Sequence, residues 1–328
     1  MIIHVSDGSD PRLDPFRWRD RQLASRLDRL DAVGAGMFVA EGDLVVDRAI
    51  ELRYEAIALL CDEPTGLRLA ESVDESVQVF IGSEQLRGDV TGLGVPLRAT
   101  GLFRRPALAS AHDVLSRATR VVVAEEIDNP TNLGAIIRSA VALGWDAIVL
   151  SAGSADPLAR RALRVSMGSG LSVPFVRLAQ DENIGKLLQQ HNYVSYAMTP
   201  DASATSLASV AVTRGQKTAL LLGSERDGLE QDTMTEATHV VRIPMPPSTG
   251  GAYPDSNGAY RTYTNAVFVN NTIIFPTYRE EYDTTAFRIW GEVCPGYNLV
   301  GIDCDNNGNN IIAQSGAIHC ITHTIGVA

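Results

Sequence analysis

Residues 127–138 constrain the fold more than any other segment of this chain. They read Ile-Asp-Asn-Pro-Thr-Asn-Leu-Gly-Ala-Ile-Ile-Arg and follow an apolar run at residues 121–124, which predicts a buried strand. Apolar residues then recur at helical spacing between Ile136 and Val141. A loop with two Asn, one Pro and one Gly therefore joins a strand to a helix, the position at which open α/β sheets bind ligands.

The same alternation of patterns extends over residues 119–245 and predicts a parallel sheet with helices on both faces. Residues 1–107 read as a smaller α/β unit with strands at 56–61 and 77–81, and Arg104-Arg105-Pro106 reads as a linker. In the larger region, strands are predicted at 121–124, 147–150, 173–176, 193–197, 219–222 and 240–243, with helices at about 130–144, 157–167 and 183–190.

The composition changes near residue 245. Residues 246–328 hold three of the 28 Lys and Arg residues (Arg261, Arg279 and Arg288) and a dense run of Asn. This change predicts a boundary, and hence three domains at 1–107, 108–245 and 246–328. Short strands are predicted in the last domain at 266–269, 272–275, 298–302 and 311–312, with a helix at 284–293.

Charge and cysteine content exclude several classes of protein. A net charge of −11 disfavours a general nucleic-acid coat protein. The four Cys residues show no Cys-x-x-Cys spacing, so we expect neither a metal site nor a disulfide framework, and a reduced, cytoplasmic chain. No apolar run reaches the length of a membrane span.

Arginines are concentrated at two places, between residues 12 and 29 and between residues 160 and 164. Arginine is suited to phosphate recognition because its planar guanidinium matches phosphate geometry. The alternative is that the first group pairs with nearby carboxylates at Asp14, Asp20 and Asp28 on a solvated helix.

Four segments resemble, in the same order, the motifs of the SpoU-type (TrmH-like) RNA ribose methyltransferases of the SPOUT superfamily. The first motif matches at Asn129, Pro130, Asn132, Gly134 and Arg138. The others are 156–157 with 166–169, 220–229 and 241–245.

The resemblance implies a 2′-O-methyltransferase acting on rRNA or tRNA with S-adenosylmethionine, an RNA-binding N-terminal domain, a trefoil knot and a homodimer. The family's third motif, which completes the knot and the dimer, is replaced here by a different sequence after Met245. Carried over to this sequence, the catalytic residues are Arg138, Asn132 and Glu225. The cofactor-binding residues are Gly223, Glu225, Gly228, Ile243 and Met245.

Physical chemistry limits what Arg138 can do. Its guanidinium stays protonated and cannot accept a proton, so we expect it to stabilise a developing alkoxide and a nearby phosphate. We expect Asn132 to orient the ribose or Arg138, and Glu225 to hold both or to lie against the cofactor loop. Structural alternatives remain open: an ion pair of Arg138 with Glu125, Glu126 or Glu225, a helix start at Asn129-Pro130, a turn at Asn132 and a strand exit at 223–225.

The tail resembles a different family, the agmatine deiminases and bacterial peptidylarginine deiminases of the pentein fold. The matching segments are 260–265, 270–276 and 315–322, and they place Cys320 at the nucleophile position. The earlier repeats of that family have no counterpart upstream. The alternative functions are therefore a guanidine deiminase fragment with Cys320 as nucleophile and a non-catalytic RNA-binding protein. As a structural alternative, Cys320 is an inert thiol.

Overall fold

The chain divides into two compact units, Met1–Ile243 and Pro244–Ala328. The structure, a computed structural model, describes residues 1–24, 36–93, 97–107, 109–201, 203–211, 213, 215–242, 263, 266–278 and 280–304. Within these ranges, no helix is long and apolar enough to cross a membrane.

The first unit begins with a five-stranded mixed sheet in the order β1-β4-β3-β5-β2. The predicted strands at 56–61 and 77–81 are confirmed as β3 and β4. The strands are β1 (Ile2–Val5), β2 (Met37–Glu41), β3 (Ala56–Cys61), β4 (Gln78–Gly82) and β5 (Ala99–Arg104), with helices at Asp14–Arg17, Asp20–Leu23, Asp43–Glu51, Glu63–Ala70 and Glu84–Thr91.

The second sheet of this unit has seven strands in the order β10-β12-β9-β11-β6-β7-β8, and every described pairing is parallel. The predicted parallel sheet is confirmed, although β8 starts two residues later than expected and the two-residue strand β10 was missed. The strands are β6 (Arg120–Ala124), β7 (Ala147–Leu150), β8 (Phe175–Arg177), β9 (Val194–Met198), β10 (Thr205–Ser206), β11 (Thr218–Leu222) and β12 (His239–Arg242).

Alternate residues of β6 supply cores on both faces of the second sheet, because side chains alternate along a strand. Val121 and Val123 pack with one group of helices, and Val122 and Ala124 pack under another helix. Burying each such Val contributes about 1.5–3 kcal/mol. The first group comprises Ala111–Arg117, Ile184–Gln190 and Gln231–Glu236, and the second face is covered by Pro130–Ala142.

A short helix, Arg160–Val165, packs against Pro130–Ala142 at Gly134. A Cβ on Gly134 would lie 2.7 Å from the carbonyl oxygen of Ala162 and 3.0 Å from Cβ of Val165. Gly134 is therefore explained by close approach of two helices.

One buried and one largely buried ion pair connect the part of this unit around the first sheet with the part around the second. Arg105 pairs with Asp156, whose side chains are 8% and 5% exposed. Burial alone would raise the pKa of Asp156, but the charge and hydrogen bonds of Arg105 outweigh it and hold that pKa below its ordinary value. Arg160 pairs with Glu41, and Arg164 lies 3.1 Å from the same carboxylate. Two arginines of the 160–164 group thus bind protein carboxylate.

At the N-terminus, the alternative of pairing with nearby carboxylates is confirmed in part. Arg17 pairs with Asp14 at 3.0 Å, and Asp20 lies beside Arg160. Asp28 lies outside the described residues.

The second unit contains a three-stranded sheet in the order β13-β14-β15, with a helix between β14 and β15. The helix begins four residues earlier than predicted, and the predicted strand at 311–312 lies outside the described residues. The elements are β13 (Val267–Val269), β14 (Thr272–Thr277), the helix Glu280–Val293 and β15 (Asn298–Asp303).

Candidate functional site

A cleft of about 760 Å³ opens at the carboxyl ends of β6 and β11, which are neighbours in the second sheet. Because parallel strands end at the same edge, their following loops meet there. The loop after β6 contributes Glu126–Pro130 and Asn132, and the loop after β11 contributes residues 224–231. Met234 also lines the cleft. The two strongest motifs of the sequence therefore line one cavity.

The loop after β6 ends in a capped helix start. Asn129 is the N-cap residue of Pro130–Ala142, and its side chain accepts a hydrogen bond from the Thr131 amide at 2.9 Å. Pro130 occupies the first helical position, where its missing N–H costs nothing. The structural alternative for Asn129-Pro130 is thus confirmed, and it places Asn132 in the first turn, facing the cleft.

The loop after β11 is a tight turn closed by its own backbone. Ser224 and Gly228 exchange two N–H to carbonyl hydrogen bonds of 3.1 Å each, and the Asp227 amide donates to Ser224 Oγ at 3.1 Å. Gly228 has φ of +74°, which favours glycine. A Cβ on Gly223 would lie 2.1 Å from the carbonyl carbon of Gly228. Gly223 is required by this turn and does not line the cleft.

The predicted site residues do not all converge. Asn132, Glu225 and Gly228 line the cleft, whereas Arg138 is exposed on the helix and lies outside its lining. Among the described residues, Arg138 has no hydrogen bond or ion pair, so the ion-pair alternative with Glu125, Glu126 or Glu225 is wrong within that part of the chain.

Glu225 likewise makes no hydrogen bond or ion pair with Asn132 or Arg138 within the described ranges. Its predicted role of holding those two side chains has no contact to support it. Ile243, Met245 and Cys320 lie outside the described residues.

Sequence reasoning considered Glu125, the residue after β6, only as a possible ion-pair partner of Arg138 and missed its role at the site. Its carboxylate is buried, and it accepts hydrogen bonds from the Glu230 amide at 2.8 Å and Thr233 Oγ1 at 2.5 Å. Burial raises the pKa of Glu125 above its ordinary value, against these two hydrogen bonds, which lower it. The sequence signal was present as an acidic residue directly after a buried strand, but the sequence does not reveal its distant partners.

The loop after β7 makes hydrogen bonds that hold the loop after β6 in position. Ser151 Oγ accepts from the Glu126 amide at 2.8 Å, and Ser154 Oγ accepts from the Ile127 amide at 3.1 Å. The guanidinium of Arg177 donates to four carbonyl oxygens of residues 151–155 at 2.7–3.1 Å. These contacts hold Glu126 and Ile127 at the cleft wall, where Glu126 has φ of +54°.

The cleft is electrostatically negative. Its lining includes five carboxylates and one guanidinium, that of Arg226, giving a local balance of −4. The carboxylates belong to Glu126, Asp128, Glu225, Asp227 and Glu230. Such a lining attracts a cationic ligand and repels phosphate. Among the residues that the structure describes, no group of three His, Cys, Asp or Glu side chains is placed to hold a metal ion.

Comparison with protein families gives two matches. Residues 119–250 match the SpoU rRNA Methylase family, and residues 209–325 match the Porphyromonas-type peptidyl-arginine deiminases. The two matches overlap at 209–250. Because β11 and β12 pair with β6 and β9, the structure assigns the shared segment up to Arg242 to the methylase sheet.

Similar proteins are RNA methyltransferases by name. An uncharacterized tRNA/rRNA methyltransferase of Mycobacterium tuberculosis is 37% identical over 253 residues, covering 74% of this chain and 84% of the relative. The 23S rRNA (guanosine(2553)-2′-O)-methyltransferase RlmP of Bacillus subtilis is 24% identical over 208 residues, covering 63% and 79%.

Several solved structures have the same fold as this chain. An rRNA methyltransferase from Sinorhizobium meliloti has a TM-score of 0.62 at 23% identity and covers 76% of this chain and 92% of its own. The SpoU methyltransferase AviRb from Streptomyces viridochromogenes, solved in complex with AdoMet, has a TM-score of 0.60 at 23% identity, covering 73% and 91%.

Proposed function

This chain belongs to the SpoU rRNA methylase family, and we propose that it transfers a methyl group from S-adenosylmethionine to a ribose 2′-hydroxyl of RNA. The observation that carries the proposal is the convergence of both described motif loops, with Asn132 and Glu225, on one cleft. The reaction is an in-line displacement for which the protein mainly positions the reactants.

The cleft is suited to the cofactor. S-adenosylmethionine supplies an activated methyl group on a sulfonium cation, and a lining balance of −4 favours a cation. We propose that Glu225 and Gly228 contact it, because both lie on the cleft wall, and that Gly223 acts through the shape of the turn. We propose that backbone groups around Ile243 and Met245 contact the adenine.

Arg138 and Asn132 are assigned to the RNA side of the reaction. An exposed guanidinium without a protein partner in the described residues is free to bind phosphate and to stabilise a developing alkoxide. Asn132 lies in the cleft, where its amide is positioned to orient the ribose. We expect Arg138→Ala to abolish methyl transfer while cofactor binding persists, since Arg138 lies outside the cleft lining.

The proposed substrate is rRNA, with tRNA as the alternative. The names of RlmP and of the RlmB proteins of Xanthomonas axonopodis and Xylella fastidiosa, 30% identical over 161 residues, describe 2′-O-methylation of 23S rRNA guanosine. The family resemblance also implies a homodimer, and light scattering coupled to size-exclusion chromatography would measure its mass.

The test is transfer of a radiolabelled methyl group from S-adenosylmethionine to unmodified rRNA and tRNA. We expect the label in 2′-O-methylnucleosides after nuclease digestion, and its loss in Arg138→Ala and Asn132→Ala. Binding of RNA without any transfer, weakened by salt, would favour the non-catalytic alternative.

The deiminase alternative rests on the match of residues 209–325. It predicts release of ammonia from agmatine or peptidyl-arginine that Cys320→Ser abolishes, because a thiolate would attack the guanidinium carbon. Methyl transfer that survives Cys320→Ser, without ammonia release from the wild-type chain, would exclude it.

A further inference from the structure

Glu125 joins the two loops of the cleft across more than 100 residues of sequence. Its backbone N–H donates to the Leu222 carbonyl at 2.9 Å, which ties the ends of β6 and β11 together. Its carboxylate then accepts from the Glu230 amide and from Thr233 Oγ1. One residue thus holds the start of one loop and the end of the other.

Glu125 is connected to the cleft lining both along the chain and through its hydrogen-bond partners. Glu126, the following residue, lines the cleft, and so does Glu230, the last residue before the helix Gln231–Glu236. Thr233 lies in the helix Gln231–Glu236 that leads away from this loop, and it is buried. The two hydrogen bonds therefore fix the outgoing end of the loop, whereas Gly223 and the turn at 224–228 fix its beginning.

Burying a carboxylate at position 125 is energetically unfavourable. Glu125 is 2% exposed, and the neighbouring carboxylates of Glu230 and Glu126 further disfavour its charge. An apolar residue would fill the volume without that cost. Only a polar side chain that reaches both the Glu230 amide and the Thr233 hydroxyl can make these two hydrogen bonds, which an apolar residue of the same size cannot.

We propose that Glu125 is a positioning residue for methyl transfer, which holds the loop of residues 224–231 in the conformation that receives the cofactor. The inference rests on the proposed function. Without the anchor, the loop populates other conformations, and apparent affinity falls in proportion to the competent fraction. A competent fraction of about one tenth raises the apparent Kd about tenfold.

The experiment compares full-length wild type with Glu125→Ala, Glu125→Gln and Thr233→Val. Calorimetric titration with S-adenosylhomocysteine gives Kd, steady-state methyl transfer separates KM for the cofactor from kcat, and hydrogen exchange reports the Glu230 amide. Asp181→Asn is the matched control, because Asp181 is an exposed carboxylate near Glu125 that anchors neither loop.

We expect Glu125→Ala to raise Kd and the cofactor KM about tenfold or more, with a smaller change in kcat and faster exchange of the Glu230 amide. Thr233→Val should show part of this effect. Glu125→Gln should restore most of the affinity, because its carboxamide can accept from the Glu230 amide and donate to the Thr233 hydroxyl. Asp181→Asn should match wild type.

Equal Kd and equal Glu230 exchange in wild type, Glu125→Ala and Thr233→Val would overturn the inference. The inference would also be overturned if kcat alone fell, by the same factor as the fraction of folded protein. That result would mean that Glu125 only stabilises the fold. If Glu125→Ala does not fold, Thr233→Val and Glu125→Gln carry the test. A folded wild-type chain that neither binds S-adenosylhomocysteine nor methylates RNA would overturn the proposed function, and this inference with it.

Discussion

Arg160 and Glu41 form an ion pair with 2.9 Å between Nη1 and Oε1, and it joins the helix behind the cleft to the first sheet. Nη2 of Arg160 donates to the carbonyl oxygens of Phe16 and Trp18, each at 2.8 Å. A single side chain therefore holds the N-terminal segment, the first sheet and the helix that packs on Gly134.

Removing Glu41 should destabilise the first unit strongly. Glu41→Ala leaves the mostly buried Arg160 with only Asp20, 4.0 Å away, as a counter-charge, and removing one partner of a buried ion pair typically costs about 3–5 kcal/mol. Urea unfolding followed by circular dichroism measures the change. The control is Glu55→Ala, because the Glu55–Arg104 pair has a similar length of 3.0 Å but side chains 66% and 47% exposed. Its loss should cost about 0–1 kcal/mol. Equal losses in the two variants would contradict this account.

Two helical glycines should respond to alanine with opposite signs. Gly134→Ala places a methyl group 2.7 Å from the Ala162 carbonyl and forces two helices apart, at a typical cost of about 1–3 kcal/mol. Gly88 lies in the helix Glu84–Thr91, and among the described residues the one atom within 4 Å of a Cβ there is the Leu93 carbonyl oxygen, at 3.8 Å. Gly88→Ala should stabilise by about 0.5–1 kcal/mol. A stabilised Gly134→Ala would contradict the packing reason given for that glycine.

The Arg105–Asp156 pair should make stability depend on acid pH. The pKa of Asp156 is lowered in the folded state, so its contribution is complete above the ordinary value of 3.8 and is lost as pH falls through the lower, folded-state pKa. Asp156→Asn should cost about 3–5 kcal/mol near neutral pH, because it leaves buried Arg105 unpaired. Urea unfolding over a pH series should show this difference shrinking at pH below about 4. A constant difference across the series would count against the pair.

Much of the second sheet was predictable because its strands are continuous apolar runs bounded by polar residues. The runs at 121–124, 147–150 and 219–222 are long enough to identify alone, since both faces of a parallel sheet are buried. The two-residue strand β10 carries no such pattern, and its place depends on pairing with β12. The helix Glu280–Val293 begins earlier than predicted, and the two acidic residues at its start are favourable in a first turn.

The sequence predicted where in the fold the candidate site lies, but it did not predict the contacts between its residues. Asn132 and Glu225 were found because their motifs lie at strand ends, and the sheet order then brings the ends of β6 and β11 together. The contacts of Glu125 with Glu230 and Thr233 were missed because these partners lie more than 100 residues away. Gly223 was predicted to bind the cofactor and Gly134 was identified only as a motif position, whereas the structure explains both by contacts within the protein.

Gly223→Ala should prevent formation of the turn at 224–228. The added Cβ would meet backbone atoms of Gly228 and Leu229 at 2.1–2.2 Å, and backbone cannot swing aside as a flexible side chain can. We expect S-adenosylhomocysteine binding to fall at least about tenfold, because few molecules keep the competent loop. Gly8→Ala is the control, since no atom of the described part of the chain lies within 4 Å of a Cβ there. Unchanged binding by a folded Gly223→Ala chain would show that the turn does not shape the cofactor site.

The most direct measurement of the central claim is calorimetric titration of the full-length chain with S-adenosylhomocysteine. We predict saturable binding at one site per chain, weakened in Glu125→Ala and unaffected in Arg138→Ala. This result would mean that the cleft between β6 and β11 receives the cofactor even though a different sequence replaces the third motif. Absence of binding, from a chain that circular dichroism shows to be folded, would contradict the proposed methyl transfer.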